Sequence, residues 1–222
     1  KIKILLWSQM HGDESTATMA LFDLFNFFSA SDENNELRQF LLNNLELHFI
    51  PMLNPDGAQV WKRRNAQDID INRDARSLST PEGRILMNMV RQEEPAFGFN
   101  LHDQSVYYTA GPTNNTATIS FLAPAYNESR EMNEVREKAT KVIVAMNKTL
   151  QQYIPGKVAR YNDEFEPRAF GDNVQRMREL AVQAAGRIAG RGEQQHQEDG
   201  EERAHPVASI RTIMFPPTRT TS

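Results

Sequence analysis

The chain alternates short apolar runs with longer segments in which apolar residues recur at helical spacing. The apolar runs predict strands at 2–7, 45–53, 97–101 and about 119–123. The helical periodicity predicts helices at about 13–29, 81–92 and 127–153. A long loop covers 103–118. Strands that alternate with helices in this order imply an α/β sandwich.

Composition narrows the class of protein only loosely. A chain of 222 residues with a formal net charge of −4 can hold one sizeable core, so one domain is the first expectation. No basic stripe is interleaved with aromatic residues, which argues against nucleic acid as a partner. No apolar stretch approaches the roughly 20 residues that span a bilayer. The absence of cysteine excludes disulfides and thiolate chemistry.

A histidine and a glutamate three residues apart follow the first predicted strand. These residues, His11 and Glu14, are half of a catalytic zinc site, in which two His and one Glu commonly hold the metal and water takes the fourth position. The best candidate for the third ligand is His102, because it also follows an apolar run that predicts a buried strand. Each histidine taken alone is more often an ordinary polar group than a ligand. The prediction therefore depends on their combination at two strand ends.

A polar segment rich in arginine lies between these two places. An Asn-Pro-Asp-Gly turn at 54–57 closes the second predicted strand and leads to Arg-Arg-Asn at 63–65 and Asp-Ile-Asn-Arg at 70–73. Arginine binds carboxylates bidentately, and a fixed positive charge beside a metal can stabilise an oxyanion. A solvated arginine pair and a turn closed by an ion pair are the plain alternatives. A zinc site with arginines nearby suits a substrate that ends in a carboxylate.

In order and spacing, these motifs resemble the zinc carboxypeptidase (carboxypeptidase A-like) metallopeptidase family, particularly its bacterial members. The resemblance covers about residues 1–175. It implies a three-layer α/β/α sandwich with a mixed, mainly parallel central sheet, incomplete at both ends. It also implies one zinc ion per chain, held by His11, Glu14 and His102.

The resemblance assigns roles to the arginine-rich segment as well. Arg64 would polarise the scissile carbonyl and stabilise the oxyanion, with Arg63 as the less favoured alternative. Asn72 and Arg73 would hold the terminal carboxylate of the substrate. Asp70 would hydrogen-bond the first histidine ligand and set its tautomer, as outer carboxylates commonly do at metal sites.

For function, the resemblance implies a metallopeptidase that releases a C-terminal residue from a peptide by means of a zinc-activated water. Two alternatives stay open: a zinc amidase acting on cell-wall peptides or acyl amino acids, and a catalytically impaired zinc or peptide binder. The partner in the enzymatic cases is a peptide or amide with a free C-terminal carboxylate. The resemblance leans towards a periplasmic or secreted location, which the sequence itself leaves open.

The segment 176–222 differs from the domain at 1–175 and is expected to be an atypical tail. It contains seven Arg and no Lys, whereas residues 1–175 contain eleven Arg and seven Lys. The family places a strand with a general-base glutamate here, and no such strand is predicted. Glu179 and Glu193, the nearest acids, lie in helix-like or low-complexity sequence.

Two explanations of this tail compete. A natural low-complexity terminus has displaced the catalytic strand, or the reading frame shifts near residue 176; composition favours the second. Because general base catalysis contributes typically 10²- to 10⁴-fold, we expect little or no peptidase activity from the chain as given.

Overall fold

A six-stranded sheet organises the part of the chain that the computed structural model describes, namely residues 1–105, 107–176 and the backbone of 207–211. The strands are β1 (Ile2–Trp7), β2 (Leu45–Ile50), β3 (Phe97–His102), β4 (Ile119–Leu122), β5 (Val158–Arg160) and β6 (Val207–Arg211). They lie in the order β2-β1-β3-β6-β4-β5. Only β4 and β6 pair in antiparallel fashion among these strands. The predicted mixed, mainly parallel sheet is confirmed.

Helices lie on both faces of this sheet. They are α1 (Thr16–Ser29), α2 (Asn35–Asn44), α3 (Pro55–Gln59), α4 (Pro81–Glu93) and α5 (Glu134–Leu150), followed by a helical segment at 170–176. On one face, Leu5 and Trp7 pack with α4 and with Phe170. On the other face, Leu6 packs against the cluster that α1 and α5 form. Successive residues of β1 therefore enter opposite layers, as the strand period of two requires, and the three-layer α/β/α sandwich is confirmed.

Side-chain caps determine where the main helices begin. Thr80 caps α4 through its hydroxyl, which accepts a hydrogen bond from the Gly83 amide at 3.0 Å. Helix α5 begins later than predicted, because the Asn133 side chain accepts a hydrogen bond from an amide of its first turn. Helix α1 begins at Thr16, whose amide donates to the Asp103 carboxylate at 3.1 Å. Since Asp103 directly follows His102, this bond ties the start of α1 to the end of β3.

Several elements of the structure were not predicted from the sequence pattern. These are α2, α3, β5 and the helical segment at 170–176. Strand β5 has three residues and α3 has five, which is too few to show a clear period. The Asn-Pro-Asp-Gly turn becomes α3 because the Asn54 side chain accepts a hydrogen bond from the Gly57 amide at 2.9 Å. No helix among the described residues is long and apolar enough to cross a membrane.

Strand β6 corrects the expectation that the tail supplies no strand. Val207–Arg211 pairs in parallel with β3 and in antiparallel fashion with β4, and so lies between them. Its register places Arg211 opposite His102. A strand in this central position argues against a tail foreign to the fold, although the division into a domain and a tail remains a prediction. The sequence of β6 contains no carboxylate, and Glu179 and Glu193 lie outside the described residues.

Candidate metal centre

The two histidines predicted as metal ligands meet at one edge of the sheet. His11 follows β1, and His102 is the last residue of β3, the strand that pairs with β1 in parallel. Their ring centroids are 4.8 Å apart. Both residues are buried: His11 is 0% exposed and His102 is 2% exposed. Parallel strands end at the same edge of a sheet, where ligand sites commonly form, and this explains the meeting of residues from distant parts of the sequence.

Glu14 reaches both histidines from the turn that follows β1. Its Oε1 atom lies 2.9 Å from Nδ1 of His11, and its Oε2 atom lies 2.7 Å from Nδ1 of His102. The Glu14 amide donates to the His11 carbonyl at 3.1 Å and closes the turn. Within the turn, a Cβ atom on Gly12 would lie 2.0 Å from the Gly57 carbonyl carbon. Only glycine therefore allows the turn to pack against α3.

These three side chains fit a zinc ion. One donor atom from each lies within 4.8 Å of the others, and the donor types are the two imidazoles and one carboxylate of a common catalytic zinc set. A second group of potential ligands among the described residues comprises Glu46, His48 and Glu93. That group is more exposed, and the Lys3 ammonium already lies 3.2 Å from the Glu93 carboxylate. The buried group is therefore the better metal site.

Asp70 contacts His11 on the ring nitrogen that does not face Glu14. Its Oδ1 atom is 3.3 Å from Nε2 of His11. The two atoms are close enough for an ion pair, but their geometry does not meet the criteria of a hydrogen bond. The same carboxylate accepts a hydrogen bond from the Asn72 amide at 2.9 Å and so caps the 3-10 turn Ile71–Arg73. A carboxylate at Nε2 favours the proton there and leaves the Nδ1 lone pair for a metal.

Burial and charge act in opposite directions on these groups. Burial by itself lowers the pKa of His11, but Asp70 and Glu14 outweigh it, so the pKa of His11 is raised. Burial by itself raises the pKa of Glu14, yet His102 and His11 hold that pKa far below its usual range. The pKa of Asp70 is also lowered, because contacts with His11 and Arg63 exceed the effect of burial. Metal binding at this site must therefore compete with a proton on the His11 imidazole.

The structure brings Arg63 to this cluster and not Arg64. The Arg63 Nε atom lies 3.0 Å from Asp70 Oδ2, and its Nη1 lies 3.2 Å from His11 Nδ1. The Arg64 side chain is 54% exposed, and its Nη1 donates to the Asp68 carbonyl at 2.7 Å. The predicted position of Arg64 is thus corrected. Its guanidinium hydrogen-bonds within a surface loop, and Arg63 lies beside the candidate metal ligands instead.

The predicted carboxylate-binding pair lines a cleft of about 400 Å³ next to His102. The Arg73 side chain is 41% exposed, and its Nε lies 3.4 Å from Glu166 Oε2. Its Nη1 donates to the carbonyl of Asn72 at 2.8 Å. The side-chain oxygen of Asn72 accepts a hydrogen bond from the Phe170 amide at 3.0 Å, which joins the cleft floor to the helical segment 170–176.

Two carboxylates in the cleft wall are absent from the sequence predictions. Arg168 lies 2.8 Å from Glu166 and holds its pKa at about 2. Asp172 is 7% exposed, and burial raises its pKa to about 7. No periodic pattern marked these two residues, because Glu166 lies in the loop after β5 and Asp172 in the first turn of the helical segment 170–176.

Comparison with known proteins agrees with this geometry. Residues 1–75 match the family described as zinc carboxypeptidase. Carboxypeptidase SOL1 of Arabidopsis thaliana is 31% identical over 153 residues, which cover 58% of this chain and 31% of that protein. Carboxypeptidase 2 of Trichophyton tonsurans is 24% identical over 134 residues, covering 60% of this chain and 24% of that protein. The chain thus spans less than a third of the length of these relatives.

Solved structures show the same fold. A metallo-carboxypeptidase from Burkholderia cenocepacia has a TM-score of 0.61 at 15% identity, covering 80% of this chain and 45% of that chain. A metallo-carboxypeptidase from Pseudomonas aeruginosa, in complex with (2-guanidinoethylmercapto)succinic acid, has a TM-score of 0.59 at 17% identity, covering 79% and 45%. Residues 1–75 of the chain are thus similar to the zinc carboxypeptidase family, and the described residues have the fold of metallo-carboxypeptidases.

Proposed function

We propose that this chain carries the metal and carboxylate sites of a zinc metallocarboxypeptidase that releases a C-terminal residue from a peptide. The observation that supports the proposal is the convergence of two buried Nδ1 atoms and the Glu14 carboxylate beside a cleft that contains Arg73. Zinc bound by such ligands lowers the pKa of a coordinated water to about 7 and polarises a carbonyl.

The residues around the metal would hold and orient it. His11, Glu14 and His102 would bind one zinc ion per chain, and Asp70 would keep His11 in the tautomer that leaves Nδ1 free. Arg63, whose Nη1 lies 3.6 Å from Glu14 Oε1, would stabilise negative charge on a substrate oxygen.

Arg73 would bind the terminal carboxylate together with Asn72. Its present partner, Glu166, is also held by Arg168 through contacts of 2.9 and 2.8 Å. A substrate carboxylate can therefore take the place of Glu166 at Arg73 without leaving Glu166 unpaired. The charge-assisted bonds of arginine make it suited to such an exchange.

One observation favours a second candidate, a zinc-dependent peptide binder with impaired catalysis. The strand next to His102, Val207–Arg211, contains no carboxylate that could serve as general base. The same groups would also serve an amidase whose substrate ends in a carboxylate, so the metal site and the recognition site do not depend on which candidate holds.

The test combines metal analysis with peptides that differ only at the C-terminus. We expect about one zinc per chain, and binding of a peptide with a free C-terminus but not of its amidated form. Hydrolysis that is lost in His102→Ala would establish the peptidase, whereas zinc-dependent binding without hydrolysis would establish the binder. A well-folded protein that takes up no zinc would overturn both.

A further inference from the structure

A buried glutamine lies between β1 and the turn that carries His11 and Glu14. This residue, Gln9, is 3% exposed, and its backbone has a φ of 50°. Such a left-handed conformation is uncommon for a residue other than glycine. It persists only where the surrounding contacts outweigh its cost, and residues of this kind cluster at functional sites. The strained backbone is therefore a reason to expect a functional role for the Gln9 side chain.

The side-chain amide of Gln9 connects the turn to helix α1. Its Nε2 atom donates to the Gly12 carbonyl at 3.0 Å, and its Oε1 atom accepts a hydrogen bond from the Thr18 hydroxyl at 2.9 Å. The orientation of the amide follows from these partners, because a backbone carbonyl can only accept. The Ser8 hydroxyl donates to the Pro51 carbonyl at 2.6 Å. This leaves the single hydroxyl proton of Thr18 available for Gln9.

The bond from Gln9 to Gly12 holds the central peptide of the turn. The Glu14 amide donates to the His11 carbonyl at 3.1 Å, so the Gly12 carbonyl belongs to the peptide in the middle of a four-residue turn. That peptide can take two opposite orientations, which distinguish turns of type I and type II. A change between them alters the backbone dihedrals that separate His11 from Glu14. The Gln9 amide therefore restrains how these two side chains face each other.

Other hydrogen bonds hold the backbone that precedes Gly12. The Asn54 amide donates to the Gln9 carbonyl at 3.0 Å, and the Asn54 side chain donates to the Met10 carbonyl at 3.3 Å. Neither bond involves the Gln9 side chain. Loss of that side-chain amide would therefore release the central peptide of the turn and leave the backbone before it in place.

Resting on the proposed function, and on its metal site in particular, we infer that Gln9 is a positioning residue that holds His11 and Glu14 in the arrangement that binds zinc. It acts through the Gly12 carbonyl and is not itself a ligand. Groups that orient metal ligands typically change metal affinity about 10- to 100-fold, because ligands held in advance need no rearrangement when the metal binds. The plain alternative is that Gln9 only satisfies buried polar groups and stabilises the fold.

The experiment replaces Gln9 by a side chain of similar length that cannot form hydrogen bonds of this kind. In Gln9→Met, zinc affinity is measured by competition with a chelator of known affinity, and stability by denaturant unfolding of the zinc-free protein. We expect zinc affinity to fall about tenfold. The stability of the zinc-free protein should fall as well, since two buried hydrogen bonds are lost.

Ser8→Ala is the matched control, because it also removes a buried hydrogen bond from the neighbouring position. Ser8 is 0% exposed and bonds to the Pro51 carbonyl, but it makes no listed bond to the turn at 11–14. This variant should lose stability and keep the zinc affinity of the unaltered protein. An equal fall in zinc affinity in Ser8→Ala and Gln9→Met would assign the effect to general loosening and overturn the role of Gln9.

The remaining outcomes separate this inference from the proposed function. Unchanged zinc affinity in a folded Gln9→Met refutes positioning by Gln9 and leaves the metal site intact. Failure of the unaltered protein to bind zinc overturns the proposed function and, with it, this inference.

The unaltered protein decides the question even if Gln9→Met fails to fold. Solvent exchange of the Gln9 side-chain amide protons, followed by NMR without zinc, reports whether the turn is held before the metal binds. We expect slower exchange than for the exposed Gln59, and no acceleration when zinc is added. Exchange of Gln9 as fast as that of Gln59 in the zinc-free protein would refute the inference.

Discussion

The metal centre and the wall of the neighbouring cleft differ in how their charges are compensated. At the metal centre, Glu14 contacts two histidines, and Asp70 contacts both His11 and Arg63. In the cleft wall, Asp172 has no ion pair among the described residues. Side chains that are paired and packed in advance suit a resident ion. An uncompensated charge suits a ligand that arrives and leaves, so the two regions are built for different kinds of occupant.

The largest expected effect is on zinc binding and comes from removing one of the three candidate ligands. His102→Ala should abolish stoichiometric zinc, because two remaining protein ligands no longer form the three-ligand set of a catalytic site. Metal analysis of the purified protein measures this. His48→Ala is the control, since His48 belongs to the exposed group around Glu46 and should leave the zinc content unchanged. Loss of zinc in His48→Ala instead would show that the metal binds at the group of Glu46, His48 and Glu93.

A smaller effect is expected one contact away from the metal. Asp70→Asn should weaken zinc affinity about 10- to 100-fold, as is typical for loss of a carboxylate that orients a metal-bound histidine. Competition with a chelator of known affinity gives the measurement. Asparagine can still accept the Asn72 amide, so the turn should persist. An unchanged zinc affinity would show that Asp70 acts only as the cap of that turn.

Substitutions in the cleft wall should change the affinity for peptide and leave the zinc content unchanged. Arg73→Ala should weaken binding of a peptide with a free C-terminus by about tenfold, since it removes a charge-assisted bond to the carboxylate. Arg64→Ala should have little effect, because the Arg64 side chain is 54% exposed and contacts Asp68 in its own loop. Calorimetric titration of both zinc-loaded variants tests the contrast, and a larger loss in Arg64→Ala would restore the original assignment of that residue.

A further expected effect is on the free energy of unfolding and depends on pH. The pKa of Asp172 is about 7 in the folded protein and roughly 4 in an unfolded chain. The folded state therefore binds more protons between these values, and this carboxyl lowers the free energy of unfolding as pH rises from about 4 to 7. At pH 8 the cost is at most about 4 kcal/mol.

Asp172→Asn should remove that cost, so it should raise the midpoint of thermal unfolding more at pH 8 than at pH 5. Denaturation of both proteins at the two pH values provides the comparison, and Glu164→Gln serves as the control for loss of an exposed acid. The same gain at both pH values would mean that Asp172 is already ionised in the folded protein at pH 5, so that its pKa is not raised.

Most of the fold was predictable because it depends on strong periodic segments. Strand β1, helix α4 and strand β3 lie close to their predicted bounds. The exceptions are short elements such as β5, and β6, whose place in the sheet depends on two partner strands, β3 and β4, that are distant in sequence. Residue type and strand-end position were enough to predict that His11, Glu14 and His102 converge.

Sequence alone predicted that His11, Glu14 and His102 converge, because ligand chemistry restricts the residue types and parallel strands must end at a common edge. Only the tertiary structure decided between Arg63 and Arg64, since one step along a loop reverses where a side chain points and no periodicity constrains it. It alone also placed Asp172 in the cleft and Val207–Arg211 between β3 and β4. Those placements arise from packing between distant segments, whose energies no local pattern records.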